Sequence, residues 1–149
     1  MESDVEILSS FGLSVLAFLV IVSFHLVSLH AAARLFRSRR PVTDLRKLGF
    51  GHTVLFIVAV MMILFFLHLL TNFAWGLFIW GIGVLPNYRE SIFYSLENYT
   101  ALGLTRVEVA DKWRMLAPMI SLSGVFCLGW STAVLVSFFG QLYHMKLED

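Results

Sequence analysis

Charge and cysteine are both scarce in this chain. Charged residues make up 14% of its 149 positions and hydrophobic ones 58%, whereas a soluble domain carries about a quarter charged and under half apolar residues. That leaves too little polar surface to cover a water-facing globule. The composition, with a mean hydropathy of +0.81, indicates an integral membrane protein. Cys127 is the single cysteine and lies in an apolar run, which excludes an intrachain disulfide and a cysteine-based zinc site. A formal net charge of +1 gives no basis for nucleic-acid binding. Internal repeats and low-complexity segments are missing, as is the inverted repeat of a secondary transporter. No nucleophile motif, glycine-rich phosphate loop or pair of carboxylates in a polar cleft occurs, so neither an enzyme nor a resident cofactor is expected.

What is present is three apolar runs, from Ile7 to Ala33, Val54 to Leu85 and Met115 to Leu142. Each exceeds the roughly 20 residues a helix needs to cross about 30 Å of hydrocarbon. The first begins among Glu2, Asp4 and Glu6 and ends in RLFRSRR, flanks that fit a retained anchor over 1–34 and not a signal peptide. The second, 32 residues long, would reach roughly 48 Å as a helix, so it must tilt or leave one end among the headgroups. Trp75 and Trp80 suit an interfacial belt, and Gly81, Gly83 and Pro86 punctuate the exit.

Orientation follows from the basic residues. The connection over 35–53 and the helix end before it hold Arg34, Arg37, Arg39, Arg40, Arg46 and Lys47 against Asp44 alone. The positive-inside rule places that loop in the cytoplasm. The N-terminus and second connection are then outside, and the tail over 143–149 is inside. The basic loop fixes topology and offers a contact for anionic lipid.

The second connection, PNYRESIFYSLENYTALGLTRVEVADKWR from Pro86 to Arg114, is not an ordinary polar loop. Ile92, Phe93, Leu96 and Tyr99 recur at helical spacing, after a start signal at Pro86 and Asn87 with Glu90 in the first turn. A helix that short cannot span. It fits a re-entrant element, tolerated where protein or water covers its backbone. Ending near Thr100, it would aim about half a negative charge at a cavity and favour cations there. Ala101 to Thr105 add only small or apolar side chains, apart from the Thr105 hydroxyl. Their chief polar groups are backbone carbonyls, which in several copies around an axis would make a cation filter.

The stretch SLENYTALGLTR (Ser95 to Arg106), followed by WRMLAP and LGWSTA, resembles the potassium-channel pore superfamily, and most of all its small bacterial members with one pore loop per chain. The resemblance covers roughly His68 to Ser137, about half the chain. It implies an all-α membrane protein with a tetrameric potassium-channel-like pore, assembled as a homotetramer in a bacterial plasma membrane. The pore module would occupy 54–142, with an outer helix at 54–85, a pore helix and filter at 88–106, and an inner helix at 115–142. The first transmembrane helix would lie peripherally, against lipid or a neighbouring subunit. Permeant ions would be monovalent cations, potassium or sodium.

The family pattern is Thr-Thr-(Val/Leu)-Gly-Tyr-Gly-Asp, and this chain reads Thr100-Ala101-Leu102-Gly103-Leu104-Thr105-Arg106. Thr100 and Gly103 match, and Leu102 is an accepted variant. Ala101 replaces a threonine whose hydroxyl helps line the innermost ion site. Leu104 replaces a tyrosine that ties the filter to the pore helix. Thr105 replaces a glycine, and a β-branched residue at positive φ is strained. Selectivity is therefore expected to be reduced or altered. Glu97 matches a carboxylate behind the filter, supported there by Phe93 and Tyr94. Arg106 stands where aspartate is usual; it pairs with Glu97, repels cations at the mouth, or lies solvated at the rim. Gly124, Gly129, Ala133 and Ser137 form the inner-helix set, read either as close packing or, at the glycines, as bending points.

The histidines, His25, His30, His52, His68 and His144, show no i, i+4 pair and no HExxH, so no metal site is expected. His68 has Asn72 one turn on, offering a hydrogen-bonded structural role. Asn98-Tyr99-Thr100 is a formal glycosylation sequon inside the expected pore helix, and is read as a chance match. The tail ends in KLED, which leaves a gate to the membrane part, the basic loop or a separate subunit. A non-conducting pore-like scaffold or accessory subunit is the alternative to a channel.

Overall fold

Hydrocarbon offers no water to satisfy a backbone, so each long apolar run folds as one helix that bonds its own N–H and C=O groups. The computed structural model describes residues 4–39, 50–103 and 107–147. It comprises α1 (Asp4–Arg39), α2 (Phe50–Gly81), α3 (Tyr88–Tyr99) and α4 (Leu116–Leu147), with a 3-10 turn at Asp111–Trp113 before α4. No strand occurs among the described residues. Three segments, Asp4–Arg34, Gly51–Gly81 and Asp111–Gly140, are long and apolar enough to cross a membrane. The helices overrun the apolar runs at their basic ends, and α2 stops four residues short of Leu85. That stop is a Schellman closure. Gly83, at φ 72°, sends its N–H to the Trp80 carbonyl, and Val84 sends its own to that of Ile79.

Side-chain pairs fix the register of the bundle. α1 runs parallel to α4, with Phe18 edge-on to Phe126 and His25 reaching Ser131. Glu6 approaches Lys112 at 3.9 Å, which ties the start of α1 to the 3-10 turn. α2 runs antiparallel to both, pairing Trp75 with Ser123 and Phe56 with Phe138. The start of α1 and the connection after α2 therefore share one end of the molecule. The buried stripe of α1 is Ser10, Ser14, Ala17, Ile21, His25 and Leu29, whose small residues let the helix approach closely. α2 and α4 touch each other at few points, and α1 and α3 fill the space between them.

Trp75 departs from the expected interfacial belt. It is fully buried and donates its indole N–H to Ser123 Oγ at 2.8 Å. A partner for its one polar atom is what allows a tryptophan into the core. Trp80 is half exposed.

Candidate functional site

The short helix α3 begins where Asn87 caps it. The Asn87 side chain accepts from the Arg89 N–H at 3.0 Å, satisfying one of the orphan donors of the first turn. From there α3 runs back along α2 in an antiparallel register. Ile92 lies so close to Gly76 that a Cβ there would sit 2.7 Å from Ile92 Cγ1. Ser95 Oγ lies 2.7 Å from Asn72 Oδ1 and 3.0 Å from the Asn72 carbonyl oxygen. One turn further, Tyr99 Oη meets His68 Nδ1 at 2.8 Å. His68 is thirteen residues before the end of α2 at Gly81, so the C-terminus of α3 lies about 20 Å along α2 from that end, at ~1.5 Å per residue.

The other flank of α3 packs on α4. Ser121 Oγ donates to the Asn98 carbonyl at 2.8 Å. Gly124 is buried against the end of α3, where any Cβ would overlap the Tyr99 carbonyl oxygen. The buried face of α3 is Ser91, Tyr94, Ser95, Asn98 and Tyr99. Its serines and amide are bonded, since Ser91 returns to the Asn87 carbonyl and Asn98 Nδ2 to the Tyr94 carbonyl. Asn98 is thereby enclosed, and its sequon is not displayed.

The opposite side of α3 is uncovered and carries exposed apolar residues beside Arg89 and Glu90. Phe93 is 68% exposed and Leu96 38%, and Leu102 beyond the helix end is 63% exposed. The helical periodicity holds, yet Phe93 and Leu96 turn away from their own chain while Tyr99 turns in. Of the two residues expected to support the filter, Tyr94 is buried and Phe93 is not. Glu97 is half-buried.

Past Tyr99 the helix closes in a second Schellman motif. Ala101 N–H donates to the Asn98 carbonyl at 2.9 Å and Leu102 N–H to that of Glu97 at 3.0 Å, with Gly103 N–H also directed at Glu97. Thr100 Oγ1 folds back onto the Leu96 carbonyl at 2.8 Å. Ala101 takes φ 56° and Gly103 φ 62°. No described backbone N–H donates to the carbonyls of Thr100, Ala101, Leu102 or Gly103. Leu104, Thr105 and Arg106 lie outside the described residues, and the expected strain at Thr105 and pairing of Arg106 with Glu97 lie there with them. Among the described non-glycine residues, positive φ falls on Ala101, where an L-residue costs about 1–2 kcal/mol. Ala101→Gly is therefore expected to raise the stability of the purified protein by about 1 kcal/mol, read as an upward shift of its thermal melting.

The inner-helix set divides. Gly124 is a packing position. Gly129 has nothing within 4 Å of where its Cβ would be, and Ala133 and Ser137 are exposed along a cavity. α4 continues unbroken through both glycines.

A polar cluster escaped the sequence. His25 is fully buried on α1, with Nδ1 2.8 Å from Thr71 Oγ1 on α2 and Nε2 3.3 Å from Ser131 Oγ on α4. Its ring centre is 4.9 Å from that of His68. Thus His68 pairs with Tyr99 and neighbours His25, and Asn72 serves Ser95. The one visible signal was that each polar residue interrupts an apolar run. Among the described residues no group of three or more His, Cys, Asp or Glu is arranged to hold a metal. The cluster thus joins three long helices beside the end of α3. No family model, curated protein or solved structure matches this chain.

Proposed function

We propose that the chain is a subunit of a homotetrameric, potassium-channel-like cation channel with passive conduction and altered selectivity. One observation carries this reading: a twelve-residue helix, wedged between two spanning helices, stops about 20 Å down α2 with carbonyls beyond its end to which no described backbone N–H donates. With α2 and α4 crossing the bilayer, α3 is then a re-entrant helix. Four copies would aim the negative ends of their dipoles at one axis and line it with backbone oxygens of Thr100 to Thr105, tuned by Glu97 and Arg106. The exposed Phe93–Leu96 edge gives each subunit an apolar surface for its neighbour. In this arrangement the N-terminus faces outward and the basic loop and C-terminus face the cytoplasm.

One observation favours the non-conducting scaffold. The N–H groups after α3 and the Thr100 hydroxyl fold back onto the helix, a closed cap and not an extended filter strand. Cation flux from liposomes holding the purified protein, compared for potassium, sodium and a larger organic cation, separates the two. A channel is expected to pass potassium and sodium at similar rates. The triple change Leu104→Tyr, Thr105→Gly, Arg106→Asp is expected to raise the preference for potassium. Absence of flux from both proteins, with the tetramer intact, supports the scaffold.

A further inference from the structure

One turn beyond the His25 cluster, α1, α2 and α4 line a half-open cavity of about 400 Å³. That is within the roughly 300–1,000 Å³ of small-molecule pockets. Its walls are apolar side chains such as Leu29, Leu64 and Val134, with His30 and Arg34 from the last turns of the α1 span. Arg34 is exposed and belongs to the run of six basic residues against one acid between Arg34 and Lys47.

Each feature narrows the occupant. Ordered water needs two to four polar partners, and the largely apolar walls offer it few. A free anion would use Arg34 and gain nothing from the walls, and a zwitterionic or neutral lipid would fill the walls and gain little from Arg34. An anionic phospholipid uses both. We propose that the cavity between α1, α2 and α4 is a binding site for an acyl chain of an anionic phospholipid whose phosphate pairs with the Arg34 guanidinium. The planar fork of arginine suits a phosphate bidentately, and its place at the end of the span puts it at headgroup level. The site exists whether or not the chain conducts, since its walls include neither α3 nor the expected filter residues Thr100 to Thr105.

The test is native mass spectrometry of the intact, detergent-purified oligomer titrated with phosphatidylglycerol or phosphatidylcholine of identical chains. Wild-type protein is expected to hold phosphatidylglycerol about fivefold more tightly, the equivalent of one basic side chain near a headgroup. Arg34→Gln is expected to remove that preference and leave phosphatidylcholine binding as it was. Ala133→Phe on α4 and Ala33→Phe on α1, both on the cavity wall, are expected to reduce binding of both lipids, each variant being scored only when its melting transition is retained. A phosphatidylglycerol preference that survives Arg34→Gln overturns the headgroup assignment. Lipid binding undiminished in a folded phenylalanine variant overturns the cavity, and equal binding of both lipids by the wild type overturns the proposal as a whole.

Discussion

Gly124→Val is expected to lower the melting temperature of the purified protein by about 2–12 °C, taking an overpacking cost of ~1–3 kcal/mol and ~2–4 °C per kcal/mol for a chain of this size. Flux in the liposome assay is expected to be lost with it. At Gly124 the first side-chain carbon meets the Tyr99 carbonyl oxygen, and a carbonyl held in a helix terminus cannot rotate away as a side chain does. Either α4 or the end of α3 must move, and the hydrogen bond from Ser121 to Asn98 one turn earlier resists both. Gly124→Ala places the same first carbon and is expected to show most of the effect. Gly129→Ala is the control. With nothing within 4 Å, it is expected to leave stability unchanged or raise it by up to ~1 kcal/mol through helix propensity. Equal damage at the two glycines would remove the close approach of α3 to α4 as the cause.

The second large effect is expected at His25. His25→Ala deletes a fully buried ring and two interhelical hydrogen bonds. Bonds of this kind inside a membrane average about 0.6 kcal/mol and reach ~1.7, so the pair contributes on the order of 1 kcal/mol. The void left by a large buried side chain costs about 2–4 kcal/mol. Packing therefore outweighs polarity here, and the two can be separated. His25→Leu keeps most of the volume and loses only the bonds. Thr71 retains the Leu67 carbonyl as acceptor at 2.8 Å, so only the Ser131 hydroxyl is left needing a partner. Thermal melting is expected to show a loss of about 3–5 kcal/mol for alanine and ~1 for leucine. A leucine variant as damaged as the alanine one would mean that the hydrogen bonds dominate.

The three long helices were legible because twenty or more apolar residues in a row leave the backbone no other solution, and α3 because Asn87, the first-turn Glu90 and the spacing of its apolar residues mark a start and a period. Which face of α3 turns inward was not legible. Ile92, Phe93, Leu96 and Tyr99 look like the buried edge, but the neighbouring helices offer Asn72, Ser121 and Gly124, so the serines and Asn98 go in and Phe93 stays out. The same reason hid the His25 cluster. Its members stand 46 and 106 residues apart in sequence, on helices with so little amphipathic bias that no face announces itself. Trp75 read as interfacial because its hydroxyl partner lies 48 residues away. Glycines were visible as a set, yet only the approach of Tyr99 distinguishes Gly124 from Gly129.

Whether the residues after α3 line an ion path is decided most directly by placing a thiol there. Ala101→Cys stands where the resemblance puts the innermost ion site, and the native Cys127, 1% exposed, gives the wild type no competing reactive group. Cation flux from liposomes is recorded before and after adding a small, membrane-impermeant, thiol-reactive cation, with labelling confirmed by mass. A pore along the α3 ends predicts that the labelled variant loses most of its flux while the wild type keeps it. Full flux through a variant labelled at every Ala101→Cys position would contradict it.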